Sequence, residues 1–138
     1  MTLMKPIGYW LNRTDRAITT YMNNTLAEFG ITRLAWQVLN VVRDGEQVTD
    51  DEVRALLVAN ADTAELDTAL SLVLTGGWVT RPAPEQLALT DAGRARLVEV
   101  GAHINTFREI SLAGVTDDEY RTAVSVLERM TENLESRA

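Results

Sequence analysis

The sequence predicts a mainly α-helical protein carrying one small two-stranded β-hairpin. Three observations lead there. Apolar residues recur at spacings of three and four through most of the 138 residues, the mark of helices that bury one face. Ahead of two of the apolar-periodic stretches a Thr stands three residues before a Glu, Thr49 with Glu52 and Thr116 with Glu119, which is the capping-box signature of a helix start. Between residues 78 and 89 the pattern changes to two short runs, Trp78-Val79-Thr80-Arg81 and Gln86-Leu87-Ala88-Leu89, on either side of Pro82-Ala83-Pro84-Glu85. Helix, turn, helix and hairpin in that order, over residues 49–94, make a winged helix-turn-helix, a shape associated with reading DNA.

Pro6 suits the first turn of a helix, where its missing N–H costs nothing. Behind it Ile7, Trp10, Leu11, Ala17, Ile18, Met22, Leu26 and Phe29 form one apolar face, and Gly30 marks the end. Some twenty residues are too many for a short winged helix to cover, so this helix needs a partner surface. Thr32 caps the next helix, with Leu34, Ala35, Val38, Leu39 and Val42 inward and Asp44-Gly45 as its stop. The helix that starts at Thr49 leads through a turn to one of about residues 63–75, with Asp62 as N-cap and Leu66, Ala69, Leu70, Val73 and Leu74 buried. Gly76-Gly77 supplies its left-handed end ahead of the hairpin. A long helix from Thr90-Asp91 reaches Gly114, and a last one from Thr116 carries Tyr120, Ala123, Val124, Leu127, Met130 and Leu134 on one stripe. Spacing of this kind suits packing against the helices of a second subunit. Residues 1–31 and 96–138 are thus expected to form a helical dimerisation base and 32–95 the winged helix, within a single domain.

Composition excludes several kinds of chemistry. The chain has no Cys and one His, so disulfides, thiolate metal sites and multi-histidine sites within one chain are out; no metal or cofactor is expected. Its apolar runs fall short of the roughly 18 residues needed to span a bilayer, and its start lacks the features of a signal peptide. A cytoplasmic protein without membrane partners is expected. Charge is the more telling property. Over residues 46–90 eight acids stand against only Arg54 and Arg81, so this module holds −6 of the net −7. A DNA binder needs the opposite sign where it approaches phosphate.

Four segments together resemble the MarR family of bacterial transcription regulators: Gly30-Ile31-Thr32-Arg33-Leu34-Ala35-Trp36-Gln37-Val38-Leu39, Gly77-Trp78-Val79, Leu87-Ala88-Leu89-Thr90-Asp91-Ala92-Gly93-Arg94, and the tail from Phe107-Arg108-Glu109 through Leu112-Ala113-Gly114-Val115-Thr116. The resemblance covers nearly the whole chain. It implies an obligate homodimer of four helices, two strands and two further helices per subunit, with a small-molecule pocket between the dimer base and the winged helix. On the recognition helix, where the family places hydroxyl residues and a basic one, this chain has Ala64, Glu65, Asp67 and Thr68. The wing, where the family carries Arg, is cut to residues 82–86, with Arg81 the nearest cation. DNA contacts, if retained, fall to Arg54, Thr63, Thr68, Ser71 and Arg81, with Arg33 and Arg43 as further cations on the preceding helix.

If the family pocket is kept, Tyr9, Trp10, Arg13, Tyr21, Trp36, His103 and Phe107 are its expected residues, offering aromatic walls for a flat ligand and Arg13 or His103 as polar anchors. The alternative for each aromatic is a place in the core or dimer interface. His103 follows Glu99 by four residues, so a carboxylate could orient the imidazole for acid/base work. Three functional readings follow. The first is a MarR-like homodimer that binds a small, aromatic molecule and has weak or lost DNA binding. The alternative is a conventional ligand-responsive DNA-binding regulator. The third is a repurposed winged helix acting as an acid/base enzyme through His103 and Glu99.

Overall fold

Helix starts in this chain are set by side chains that satisfy the backbone N–H groups orphaned in a first turn. In the computed structural model, which describes residues 4–137, Thr32 accepts from the Ala35 N–H, Thr49 from Glu52, Asp62 from Glu65 and Thr116 from Glu119. At Asp62 and Thr116 the Glu side chain returns the bond and completes a capping box. The helices are α1 (Ile7–Leu26), α2 (Arg33–Asp44), α3 (Asp50–Leu56), α4 (Thr63–Thr75), α5 (Asp91–Ser111) and α6 (Asp117–Glu135). A 3₁₀ turn, Ala27–Phe29, closes α1. Gly77 after α4 and Gly114 after α5 stand at φ +78° and +79°, the left-handed stop that glycine accepts without strain. Among the described residues no helix is long and apolar enough to cross a membrane.

The wing has one strand more than expected. β2 (Val79–Thr80) pairs antiparallel with β3 (Gln86–Leu89), as the hairpin reading requires, and a two-residue β1 (Val48–Thr49) adds to the other edge of β3 to give the order β1-β3-β2. Val48 faces Leu87 and Val79 faces Leu89. Two residues are too few to show a period in sequence, so β1 is visible only through its partner.

The chain divides into two compact units, residues 1–104 and 105–138. In the first, α2 is the central element: it packs on α1, α3, α4 and β3, and Ala35, Val38, Leu39 and Val42 are buried along it. Val53, Leu66, Leu70, Val73, Trp78, Leu87, Leu97 and Val100 are among the residues that extend this core. From α1 only the C-terminal part enters it, through Met22 and Leu26, while Ile7, Trp10 and Leu11 are exposed. The second unit holds the end of α5, the Gly114 turn and α6. None of the described residues of α6 is buried, and Tyr120, Val124 and Leu134 of its apolar stripe lie open.

Candidate ligand crevice and nucleic-acid face

Within the first unit a crevice of about 570 Å³ opens between α1, α2, the turn before α4, and α4 itself. Its α1 wall is a row at every fourth position, Asp15, Thr19 and Asn23, which helical spacing puts on one face. That row grips the start of α2. Arg33 Nη1 donates to Asp15 Oδ1 at 2.8 Å and to Thr19 Oγ1 at 2.9 Å, while its backbone N–H donates to Asn23 Oδ1 at 2.8 Å. Gln37 lies one turn further along α2. The facing wall is Glu65, Thr68, Ala69 and Leu72 of α4, closed by residues 59–61. Polar and apolar surface share the lining about equally, and none of the lining residues is aromatic.

The acids of the winged helix have specific work. Asp62 and Glu65 cap α4. Asp67 takes the Arg54 guanidinium at 2.8 Å, which Asp51 also meets at 3.0 Å. In the wing, Arg81 forms a two-pronged pair with Asp50 at 2.8 and 2.9 Å, and the Asp50 N–H donates to the Glu85 carbonyl. The wing is thereby pinned to the start of α3. Arg33 and Arg43 are also paired, with Asp15 and Asp44. All four arginines that the sequence offers for phosphate contact are held by carboxylates of this chain. Of the hydroxyls, Thr68 donates to the Ala64 carbonyl of its own helix.

The Asp50–Arg81 pair has a pH signature. The hydrogen bond from Arg81, opposed by partial burial and aided by the Arg81 charge, lowers the Asp50 carboxyl below the ordinary carboxylate value. A depressed folded-state pKa means stability that is present above the unfolded pKa, near 3.9, and is lost as the pH falls through the lower folded value. Asp50→Asn should therefore cost on the order of 1 kcal/mol at pH 7. The gap from the parent should close below about pH 4, read by urea unfolding at several pH values.

None of the residues expected to bind a ligand lines this crevice. Tyr9, Trp10 and Arg13 form a group on the exposed start of α1: the rings meet edge to face at 5.0 Å, and Arg13 lies 5.6 Å from the Trp10 ring and donates to Tyr9 Oη at 2.9 Å. Tyr21 is part-exposed further along α1 and Trp36 half-buried on α2; neither lines the crevice. Phe107 falls in the second unit. His103 pairs with Glu28 of the 3₁₀ turn at 3.2 Å and meets Phe29 edge to face, whereas Glu99 is exposed. Helical spacing proposes Glu99 as its partner, but a carboxylate from a distant turn reaches the imidazole instead. Asp15, Gln37 and Asn60 were not among the expected site residues, and Arg33 was expected only as a cation for phosphate. The four-residue spacing of Asp15, Thr19 and Asn23 was the available signal.

A helix-turn-helix on buried α2, with a pinned three-stranded wing and long flanking helices, defines a winged-helix protein. Its fold is that of the MarR transcriptional regulators. A MarR regulator from Methanosarcina mazei superposes with a TM-score of 0.80 at 20% identity, over 94% of this chain and 95% of that one. A MarR family protein from Mycobacterium tuberculosis, in complex with DNA, gives 0.72 at 23% identity over 92% and 98%. A structure of that protein with p-aminosalicylic acid gives 0.71 at 23% over 92% and 99%. No protein-family model and no curated protein matches the sequence.

Proposed function

We propose that this chain is a MarR-like regulator-type protein that binds a small molecule in the crevice between α1 and the winged helix, acts as a homodimer, and has weak affinity for DNA. The observation that carries this reading is the pairing of charge. Phosphate recognition needs cations to displace condensed counterions, and that term supplies nearly all non-specific affinity. Here Arg54 and Arg81 each already answer to an Asp, and the module around them is acidic. A phosphate must compete with those carboxylates before it gains anything. The crevice, by contrast, presents polar groups around open space. The homodimer is supported by the apolar residues that α1 and α6 leave exposed.

In fluorescence anisotropy at about 50 mM salt, the protein should show no saturable binding to duplexes from its own genomic neighbourhood at micromolar concentration. The double variant Asp50→Asn, Asp67→Asn, which releases Arg81 and Arg54, should bind the same duplexes roughly tenfold more tightly with a steeper salt dependence. Nanomolar, sequence-selective binding by the unaltered chain would instead establish the conventional regulator, the reading favoured by the DNA complex of the M. tuberculosis neighbour. Sedimentation of the same samples tests the dimer, and a single monomeric species at micromolar concentration rejects it.

A further inference from the structure

From the charges in the crevice we infer its ligand class: a small zwitterion that carries a carboxylate and a protonated amine in one molecule, as amino acids and short peptides do. The inference rests on the crevice being the ligand site. An aromatic carboxylate fits it poorly for two reasons. No aromatic side chain lines the space, so a flat ring finds no stacking wall. The ionised groups are one guanidinium, Arg33, against two carboxylates, Asp15 and Glu65, so a ligand bringing only negative charge deepens the site's excess of anions, whereas a zwitterion leaves that excess unchanged and offers each sign a partner.

A zwitterion answers both groups. Arg33 uses Nη1 for Asp15 and Thr19, and among the described residues its Nε and Nη2 make no hydrogen bond, leaving donors for a ligand carboxylate. Its side chain is only 24% exposed, while Asp15 is 70% exposed, so the cation sits at the wall and the acid reaches solvent. On α4, Glu65 accepts the Asp62 N–H through Oε1, and Oε2 has no partner among the described residues. That oxygen and Asp15 are the acceptors for an ammonium. The side chains of Gln37 and Asn60 likewise make no hydrogen bond among the described residues and supply both donors and acceptors for amide groups, which a peptide carries. The volume lies within the range of small-molecule sites and leaves room for more than one residue.

The test is a titration of the full chain followed by ¹H–¹⁵N NMR at residues 33, 37, 60, 65 and 68. Its arms are free L-glutamine, the dipeptide Gly-Gln, N-acetyl-glutamine, benzoate and putrescine. Saturable shifts at these residues are expected with the zwitterions, and the stronger of the first two arms separates amino acid from peptide. N-acetylation should weaken binding by about tenfold or more, because it removes the ammonium. Glu65→Gln keeps the capping box, since Gln serves at that position, and should narrow the difference between free and acetylated forms by removing one of the two acceptors for the ammonium. Arg33→Gln should weaken both. Benzoate or putrescine binding at the same residues as tightly as the zwitterions, or an N-acetyl form that binds equally well, overturns the ligand class while the crevice reading stands. If no arm shifts these residues, the crevice reading itself fails and the inference falls with it.

Discussion

Trp78→Ala is expected to cost about 3–5 kcal/mol, the range for emptying a large aromatic site in a core. Trp78 is 1% exposed and ties together α4, α5 and the end of α1. Its backbone N–H donates to the Val73 carbonyl at the end of α4, and its carbonyl accepts from Thr90 N–H ahead of α5. The Arg96 guanidinium lies 4.0 Å from its ring, and the same Arg96 donates to the Phe29 carbonyl at the close of α1. Removing the indole leaves a cavity and takes away the surface that orients Arg96, so the helix–wing junction and the end of α1 loosen together. Urea unfolding should show a lower midpoint, with Trp78→Phe retaining well over half of the lost stability. An alanine variant within 1 kcal/mol of the parent would mean that neighbouring side chains fill the site, contrary to the close-packed core proposed here.

Gly93→Ala is expected to destabilise by about 3 kcal/mol, lowering Tm by roughly 10 °C. A Cβ at this position in α5 would land on the carbonyl of Trp78, and its carbon and Cα are also too close. Backbone cannot swing aside as a side-chain tip can, so α5 would have to lift from the wing. The same helix contains its own control. Gly101 has nothing within 4 Å of the added carbon, so Gly101→Ala should raise stability by about 0.5–1 kcal/mol through helix propensity alone. Opposite signs for two chemically identical changes, read by thermal unfolding, separate close packing from propensity; equal signs would refute the packing argument.

How much of this was legible in the sequence differs between fold and site. The caps at Thr32, Thr49, Asp62 and Thr116 are local, since each donor lies three residues from its acceptor, and they mark the helix starts directly. The apolar stripes of α2 and α4 likewise announce which faces are buried. β1 escaped because pairing across the sheet, and no pattern of its own, makes it a strand. For the site, aromatic residues are the ones a sequence offers as pocket walls, whereas this crevice is lined by polar side chains together with Leu34, Leu72 and alanines. Aromaticity marks a residue as valuable to bury, and that holds equally for a core, an interface or a pocket. Polar rows on a helix read as solvated surface until a second helix is seen to stand opposite them.

By itself the sequence determined the helices, the hairpin and the concentration of acid in the winged helix, all properties of composition and short-range spacing. Only the tertiary structure decided what that acid does. Arg54 meets Asp67 13 residues away, Arg33 meets Asp15 at a separation of 18, and Arg81 meets Asp50 at 31. Coulomb attraction and hydrogen bonding act over a few ångströms in space whatever the distance along the chain. Net charge is therefore readable from the residues, whereas which cation is engaged, and which carboxylate faces an open crevice, is settled by how α1, α2, α4 and the wing pack.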